Sequence, residues 1–491
     1  MVGRLLVLLC SLLLAACEPP ASSDIRFGLA AGPTNLDPRF ATDATSERIN
    51  RLLYGRLVDF DKHARPIPAL AEWEQLAPQH YRFRLRETPL FHNGQPLGAA
   101  DVAATYASVL DPATASPHLG ALSMIEKIDV IDTRTIDFYL NRADVLFPGY
   151  LTIGILPALE LADGHPFHTD PVGSGPFQFV DWTDQKLVLA RNSDAQQFVF
   201  EQVKDPTMRV LKLLRGEIDI LQNDLPPELL VDLEQRPELQ VLHAPGSNFA
   251  YIGFQLEDQA TGNARVRRAI ALAIDREAII EYVFNAGARP AAALLPPEHW
   301  AGHSDLASVS RDLQAARKLL EQAGYTTERP LRLSYKTSSD PFRVRIATIL
   351  QQQLADAGVE VDVQSYDWGT FYGDIKAGRF QMYSLAWVGI KSPDIFRYAF
   401  HSDSLPPDGA NRGRFNDNTV DMLIDQAARA TTLSAQAGYY RHLQERLLDL
   451  LPCVPLWYEN QYAVTSSRIQ GYVLAADGAY DALGNTFRVK P

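Results

Sequence analysis

The sequence predicts an α/β protein built around an open, partly parallel sheet. Three observations predict it. Between residues 331 and 386, strand-like and helix-like runs alternate as βαβαβ. The first third is strand-rich, with strict apolar alternation over Tyr81-Arg82-Phe83-Arg84-Leu85-Arg86. Of the 491 residues 46% are hydrophobic, enough for large cores and too many for a disordered chain. As a soft prior, the length corresponds to about three domains.

The first element is a leader. Arg4 precedes the apolar run Leu5–Leu14, and Leu14-Ala15-Ala16-Cys17 closes it. A permanent membrane helix needs about 20 apolar residues, so this shorter run reads as a secretory signal. The stretch Leu-Ala-Ala-Cys resembles the bacterial lipobox. That implies a cleaved signal over 1–16, a lipid on Cys17 and a tether over 17–23, extended by Pro19 and Pro20. An ordinary signal peptide with an incidental cysteine is the other reading. Cleavage removes Arg4 and moves the formal charge from -13 to -14, with 45 basic against 59 acidic residues. Such an acidic chain lacks the basic footprint of a nucleic-acid binder, and anionic lipid does not attract it. Cys10 leaves with the signal, which leaves Cys453 without an intramolecular partner. Its setting, Leu450-Leu451-Pro452-Cys453-Val454-Pro455-Leu456, predicts a buried, inert thiol.

The next elements follow from periodicity and punctuation. Residues 45–60 read as a helix leading into a strand, and Ala99–Leu110 as a helix ended by Asp111-Pro112. Ile128–Val130 and Ile136–Leu140 flank Asp132-Thr133-Arg134 as a hairpin. Gly173-Ser174-Gly175-Pro176 turns the chain into a strand at Phe177–Val180. Asn263 caps a predicted helix that runs to Asn285 and stops at Gly287. Asp312–Ala323 is a helix closed by Gly324. Then come the strand Leu331–Tyr335, the helix Phe342–Ala357, the strand Val359–Val363, the helix Trp368–Lys376 and the strand Phe380–Ala386. Strands joined by such crossovers lie parallel, and ligands gather outside their shared C-terminal edge. Lys336, Thr337, Ser338, Trp387 and Val388 fall at that edge. Strands at Val454–Tyr458, Tyr462–Thr465 and Thr486–Val489 finish the chain.

Catalytic signatures are missing. There is no G-x-S-x-G, H-E-x-x-H, C-x-x-C or phosphate loop, and the eleven histidines are scattered. His165 and His168 sit in a Gly/Pro loop that reads as solvated rather than metal-binding. No catalytic residue, cofactor or metal is therefore assigned. The balance favours a binding protein over an enzyme, with an anchored envelope hydrolase as the alternative.

Several stretches carry a resemblance. Asn35-Leu36-Asp37-Pro38, Leu53-Tyr54-Gly55-Arg56-Leu57-Val58-Asp59, Pro68-Ala69-Leu70-Ala71-Glu72-Trp73 and Phe91-His92-Asn93-Gly94 occur in order. Gly173–Phe177, Arg215-Gly216-Glu217-Ile218-Asp219, Val266-Arg267-Arg268-Ala269 and Ala273-Ile274-Asp275-Arg276-Glu277 follow. From about Ile25 to Pro491 the chain resembles the periplasmic oligopeptide- and dipeptide-binding proteins of solute-binding family 5, the receptors of ATP-driven (ABC) importers. The resemblance implies a large, cluster C-type periplasmic binding protein fold with two α/β lobes and an extra β-rich subdomain. Lobe I would take 24–58, 170–248 and 460–491, the subdomain 59–169, and lobe II 249–459. It further implies a monomer that closes on a peptide or peptide-like ligand and delivers it to an inner-membrane permease. Opines, sugars, metal chelates and haem are cargoes of relatives and stay open. A structural role for Asp275, capping or pairing inside its lobe, is the favoured reading.

The expected ligand contacts are Trp387, which matches a cleft tryptophan of the family, Asn35 in the entry loop, and Phe249 and Tyr251 after the first lobe crossing. Asn411 and Arg412 in a Gly-rich loop, Lys391 and Asp394 complete the set, with core or solvent as the plain alternative for each. Peptide-binding members place an aspartate three positions after the tryptophan, where it receives the α-ammonium. Here that position is Ile390. An ammonium buried against isoleucine loses hydration without gaining a partner. The expectation is a cargo without a conventional free N-terminus at this spot, its carboxylate met by Lys391 or Arg412, unless Asp394 takes the ammonium.

Overall fold

The computed structural model describes residues 24–87 and 89–489. The leader and Cys17 lie outside the described residues. Eleven strands form one mixed sheet: β1 (Ile25–Leu29), β2 (Phe177–Trp182), β3 (Lys186–Arg191), β4 (Gln197–Gln202), β5 (Ile220–Gln222), β6 (Leu239–Phe254), β7 (Ala288–Pro290), β8 (Leu331–Ser338), β9 (Val359–Tyr366), β10 (Met382–Trp387) and β11 (Cys453–Ser466). Their order is β9-β8-β10-β6-β11-β5-β1-β4-β3-β2, with β7 added against β11. The two longest strands, β6 and β11, pair antiparallel at the centre.

The βαβαβ unit is as expected. β8 is parallel to β9, Leu331↔Val359 through Ser338↔Tyr366, and parallel to β10 at Tyr335↔Met382. An aspartate starts each helix of this region. Asp312, Asp340 and Asp367 accept the backbone N–H of Ala315, Arg343 and Thr370, which satisfies donors that a helix leaves orphaned. Gly358 then ends Pro341–Asp356 with φ +93°, a conformation L-residues avoid.

A second, four-stranded antiparallel sheet holds Ala71–Ala77, His80–Leu85, Thr135–Leu140 and Ile125–Val130 in that order. Tyr81, Phe83 and Leu85 point inward as the alternation predicts. Helix Ala99–Leu110 covers them, and Tyr106, Phe138 and Phe147 pack edge-on or tilted in the resulting core.

Three expectations need correction. The helix expected over Asn263–Asn285 is two helices, Ala264–Ala273 and Arg276–Tyr282. The Asp275 N–H donates to Gln353 Oε1 instead of continuing the first helix, and the Asp275 carboxylate caps the second at Ala278. The Arg276 guanidinium takes the freed carbonyls of Ala271 and Ile274. Asp275 is thus a cap. The two C-terminal strands expected at Val454–Tyr458 and Tyr462–Thr465 are one, because the ladder with β6 resumes past Glu459 after a bulge. The strand expected over Thr486–Val489 keeps only Phe487–Arg488, paired with Ile469–Gln470.

Candidate functional site

Helix Ala44–Leu53 forms because Asp43 caps it at Ser46 and Glu47 complements its positive end. Ile49, Leu52 and Leu53 face the core. Glu47, Asn50, Arg51 and, just past the helix, Tyr54 follow the i, i+3, i+4, i+7 spacing of another face. That face walls a cavity of about 330 Å³. Phe60, the chain from Gly149 to Gly154, and Gly389, Lys391 and Ser392 supply other walls. With His118, Ala121 and Leu122, four segments distant in sequence therefore border one partly open space.

Charges around this space are mostly paired. Arg51 bonds Asp59 and Asp481, and Arg56 bonds Asp59 at 2.6 Å. Lys391 Nζ reaches Asp477 at 2.7 Å and lies 5.3 Å from the Phe60 ring centroid. Burial alone would raise the Asp477 carboxyl, but Lys391 overrides it and pulls it down to about 2. The Lys391 carbonyl accepts His299 Nε2–H at 2.8 Å while His299 Nδ1 accepts the Ala301 N–H. Burial pushes His299 down to about 4, so the loop rests on a neutral imidazole at pH 7.

At the C-terminal edge of β8 and β10, Arg412 is stacked between two rings. Its guanidinium lies 5.0 Å from the Trp387 centroid and 5.5 Å from that of Tyr372. Nη1 donates to the Tyr251 hydroxyl at 3.1 Å and Nη2 to the Tyr372 hydroxyl at 3.2 Å. Tyr372 stacks in turn on the exposed Trp368 at 5.4 Å. Burial would lower the Arg412 pKa, yet the surrounding tyrosines hold it above its ordinary value. Among the described residues no carboxylate pairs with it.

Asp394 is half-buried, and its carboxylate makes no hydrogen bond or ion pair among the described residues. Burial raises its pKa against the pull of Arg397 and Arg142. Asp144, on another segment, is pushed up to about 6 by burial, with the Asp394 charge adding to the effect.

The expected ligand residues thus separate. Lys391 alone of them lines the cavity. Trp387, Tyr251 and Arg412 form the stacked cluster at the strand edge. Phe249 is core, 1% exposed and stacked on Tyr251 at 5.7 Å, because β6 is buried on both faces here. Asn411 turns inward, donating to the carbonyls of His401 and Phe415 and accepting the Phe415 N–H. With its amide fully used, it braces the loop. Asn35 Oδ1 accepts the Asp37 N–H, an Asx turn that shapes the entry loop. Cys453 is half-buried rather than fully buried, and burial of its thiol pushes the pKa up to about 12. Sequence reasoning missed Glu47, Asn50 and Arg51. Their spacing was the available signal, but a polar stripe opposite an apolar one reads as solvent-facing.

A family model described as bacterial extracellular solute-binding proteins, family 5 Middle, matches residues 65–405. The chain is similar to Heme-binding protein A of Haemophilus influenzae, 28% identical with 96% of each chain covered. It is equally similar to Di/tripeptide-binding protein 2 of Pseudomonas aeruginosa, 28% identical over 92% of each chain. Among solved structures, the ABC transporter substrate binding protein CtaP of Listeria monocytogenes shares the fold, with TM-score 0.86, 23% identity, and 95% of this chain and 99% of that one covered.

Proposed function

The chain belongs to the bacterial extracellular solute-binding proteins of family 5, and from that premise we propose that it is the extracytoplasmic receptor of an ABC importer. It captures peptides or peptide-like small molecules between two lobes, closes on them and hands them to a permease. One observation carries this reading: the cavity of about 330 Å³, within the size range of small-molecule sites, is walled by four distant segments. The proposed lobes are 24–58 with 170–248 and 460–491, and 249–459, with the subdomain over 59–169. On this division Lys391–Asp477 and Arg345–Glu228 bridge the lobes. The Trp300 N–H donation to the His63 carbonyl joins lobe II to the subdomain. These contacts fit a closed state.

The names of the two relatives point to haem and to peptides, so the shared fold does not set the cargo. We propose that Arg412, a buried cation without a carboxylate that stands beside Trp387 outside the cavity lining, meets the anionic end only of solutes long enough to reach the strand edge. The test is native mass spectrometry of the full chain as purified. A small molecule held one-to-one supports the receptor role. Turnover of that molecule into product would replace it with the hydrolase reading.

No described helix is long and apolar enough to cross a membrane. Retention at the membrane is proposed to rest on a lipid at Cys17, which keeps a monomeric receptor near its permease. Cys17→Ser should leave the signal-processed protein in the soluble fraction. Continued membrane association would exclude the lipid anchor.

A further inference from the structure

Three features of the cavity point to one chemistry. First, its charges do not balance. The lining cations Arg51, Arg56 and Lys391 are each paired with an aspartate behind the wall, Asp59, Asp481 or Asp477, which leaves Glu47 as the one lining charge without an ion pair. Arg48, the next residue along the helix, turns to the ring of Tyr480 at 5.5 Å from the centroid. Among the described residues the Glu47 carboxylate makes no hydrogen bond or ion pair. Second, Glu47 is exposed to probing solvent, yet desolvation raises its pKa. Both hold together for a group on the wall of a partly open cleft. Third, Asn50 stands one helical turn further on the same face. It is 6% exposed, and neither its amide nitrogen nor its amide oxygen has a partner. A buried amide without a partner destabilises the ligand-free protein, and a ligand that pairs with it recovers that cost.

We propose that Glu47 receives a cationic nitrogen of the bound solute in this cavity, with Asn50 hydrogen-bonding the polar group beside it. The proposal rests on the receptor reading above and deepens it: the solute is an amine-bearing compound, small enough for a cavity at the low end of the ligand-site range of roughly 300–1,000 Å³. Ile390 removes an acceptor from the loop after Trp387. Glu47 supplies one from the facing helix. A primary ammonium offers three donors, which suits a carboxylate and an amide carbonyl set side by side. The Lys391 ammonium already contacts Asp477, so it does not neutralise Glu47 by contact.

The test is calorimetry on the full chain with alanine, Ala-Ala and Ala-Ala-Ala, each free and N-acetylated. The expected result is that free-amine forms bind at least about tenfold more tightly than acetylated ones, and that Glu47→Gln weakens them by at least about tenfold while Glu47→Asp restores part. Asn50→Leu should weaken binding while keeping or raising the unliganded melting temperature, because it removes a buried polar group that has no partner. A role in packing alone would lower stability instead. Equal binding of free and acetylated forms, unchanged affinity in Glu47→Gln, or no binding by any of the six probes overturns the proposal. A copurified cargo without a basic nitrogen also overturns it, and leaves the receptor reading standing.

Discussion

Asn411 and Arg412 adjoin in sequence and do opposite things. Asn411 spends its whole amide on the backbone of its own loop, whereas Arg412 reaches across to aromatic rings and two phenols. Asn411→Ala strands a buried N–H and two carbonyls. It should therefore cost on the order of 1–3 kcal/mol of stability in denaturant unfolding. Ligand affinity of the folded fraction should stay at the wild-type value. A variant with intact stability but lost binding would return Asn411 to the contacts. Two other residues set opposing pH dependences. His299, held down to about 4, favours the fold above its ordinary pKa, and that contribution is lost as pH falls from 6.5 toward 4. Asp144, held up to about 6, weakens the fold above that pH, and the penalty is relieved as pH falls from 6 toward 3.8. Each effect is at most about 3.5 kcal/mol, and over pH 4–6 they partly cancel. Asp144→Asn removes the relief alone. Its melting temperature relative to wild type should fall as pH drops from 6 to 4, and a pH-independent difference would refute the assignment.

At the scale of elements, legibility tracked how cleanly one physical rule ruled a segment. Over 331–386 the aspartate caps, glycine stops and β-branched runs agree, and the helix Trp368–Lys376 has the bounds its sequence predicts. Asn418–Arg429 and Leu433–Leu450 went unread, although Asp417 and Thr432 cap them. In the second, buried Gln436 and Gln444 interrupt the apolar stripe. Their amides bond backbone carbonyls at Ala427 and Ala301, contacts that no periodicity encodes. The candidate site was half legible. The strand edge placed Trp387, and the loop placed Lys391, but the cavity needed the helix Ala44–Leu53 to meet them in space. The Asn263–Asn285 misreading shows the converse. An apolar face persisted through a break made by one cap. Asp275→Ala should cost roughly 1 kcal/mol, seen as a lower unfolding midpoint with an unchanged denaturant slope. No loss of stability would mean that Gln353 and Arg276 alone fix the break.

At the scale of the molecule, one sheet runs through both proposed lobes, and β6 and β11 are its only continuous connection across the centre among the described residues. Bending concentrated there is the natural motion, since the bulges at Ala244/Asn248 and Ala250/Tyr251 already interrupt that ladder. On the proposed division, contacts between the lobes would set how far a closed state is favoured. Lys391–Asp477 is the clearest, three-quarters buried on each side at 2.7 Å. In an open state both groups regain water, so the pair is lost without leaving a buried charge. In the closed state, Lys391→Ala leaves Asp477 surrounded but unpaired, which costs about 1–3 kcal/mol. That cost falls on the closed state alone, so it weakens ligand affinity by roughly 5- to 150-fold while the ligand-free melting temperature barely moves. Asp477→Asn should do the same from the other side. The double variant Lys391→Ala/Asp477→Asn should recover part of the loss, because neither charge is then left unpaired. Solution scattering gives the structural readout: at one fixed, sub-saturating ligand concentration, each single variant should keep a larger radius of gyration than wild type. Single variants that bind and compact like wild type would remove this pair from the closing mechanism.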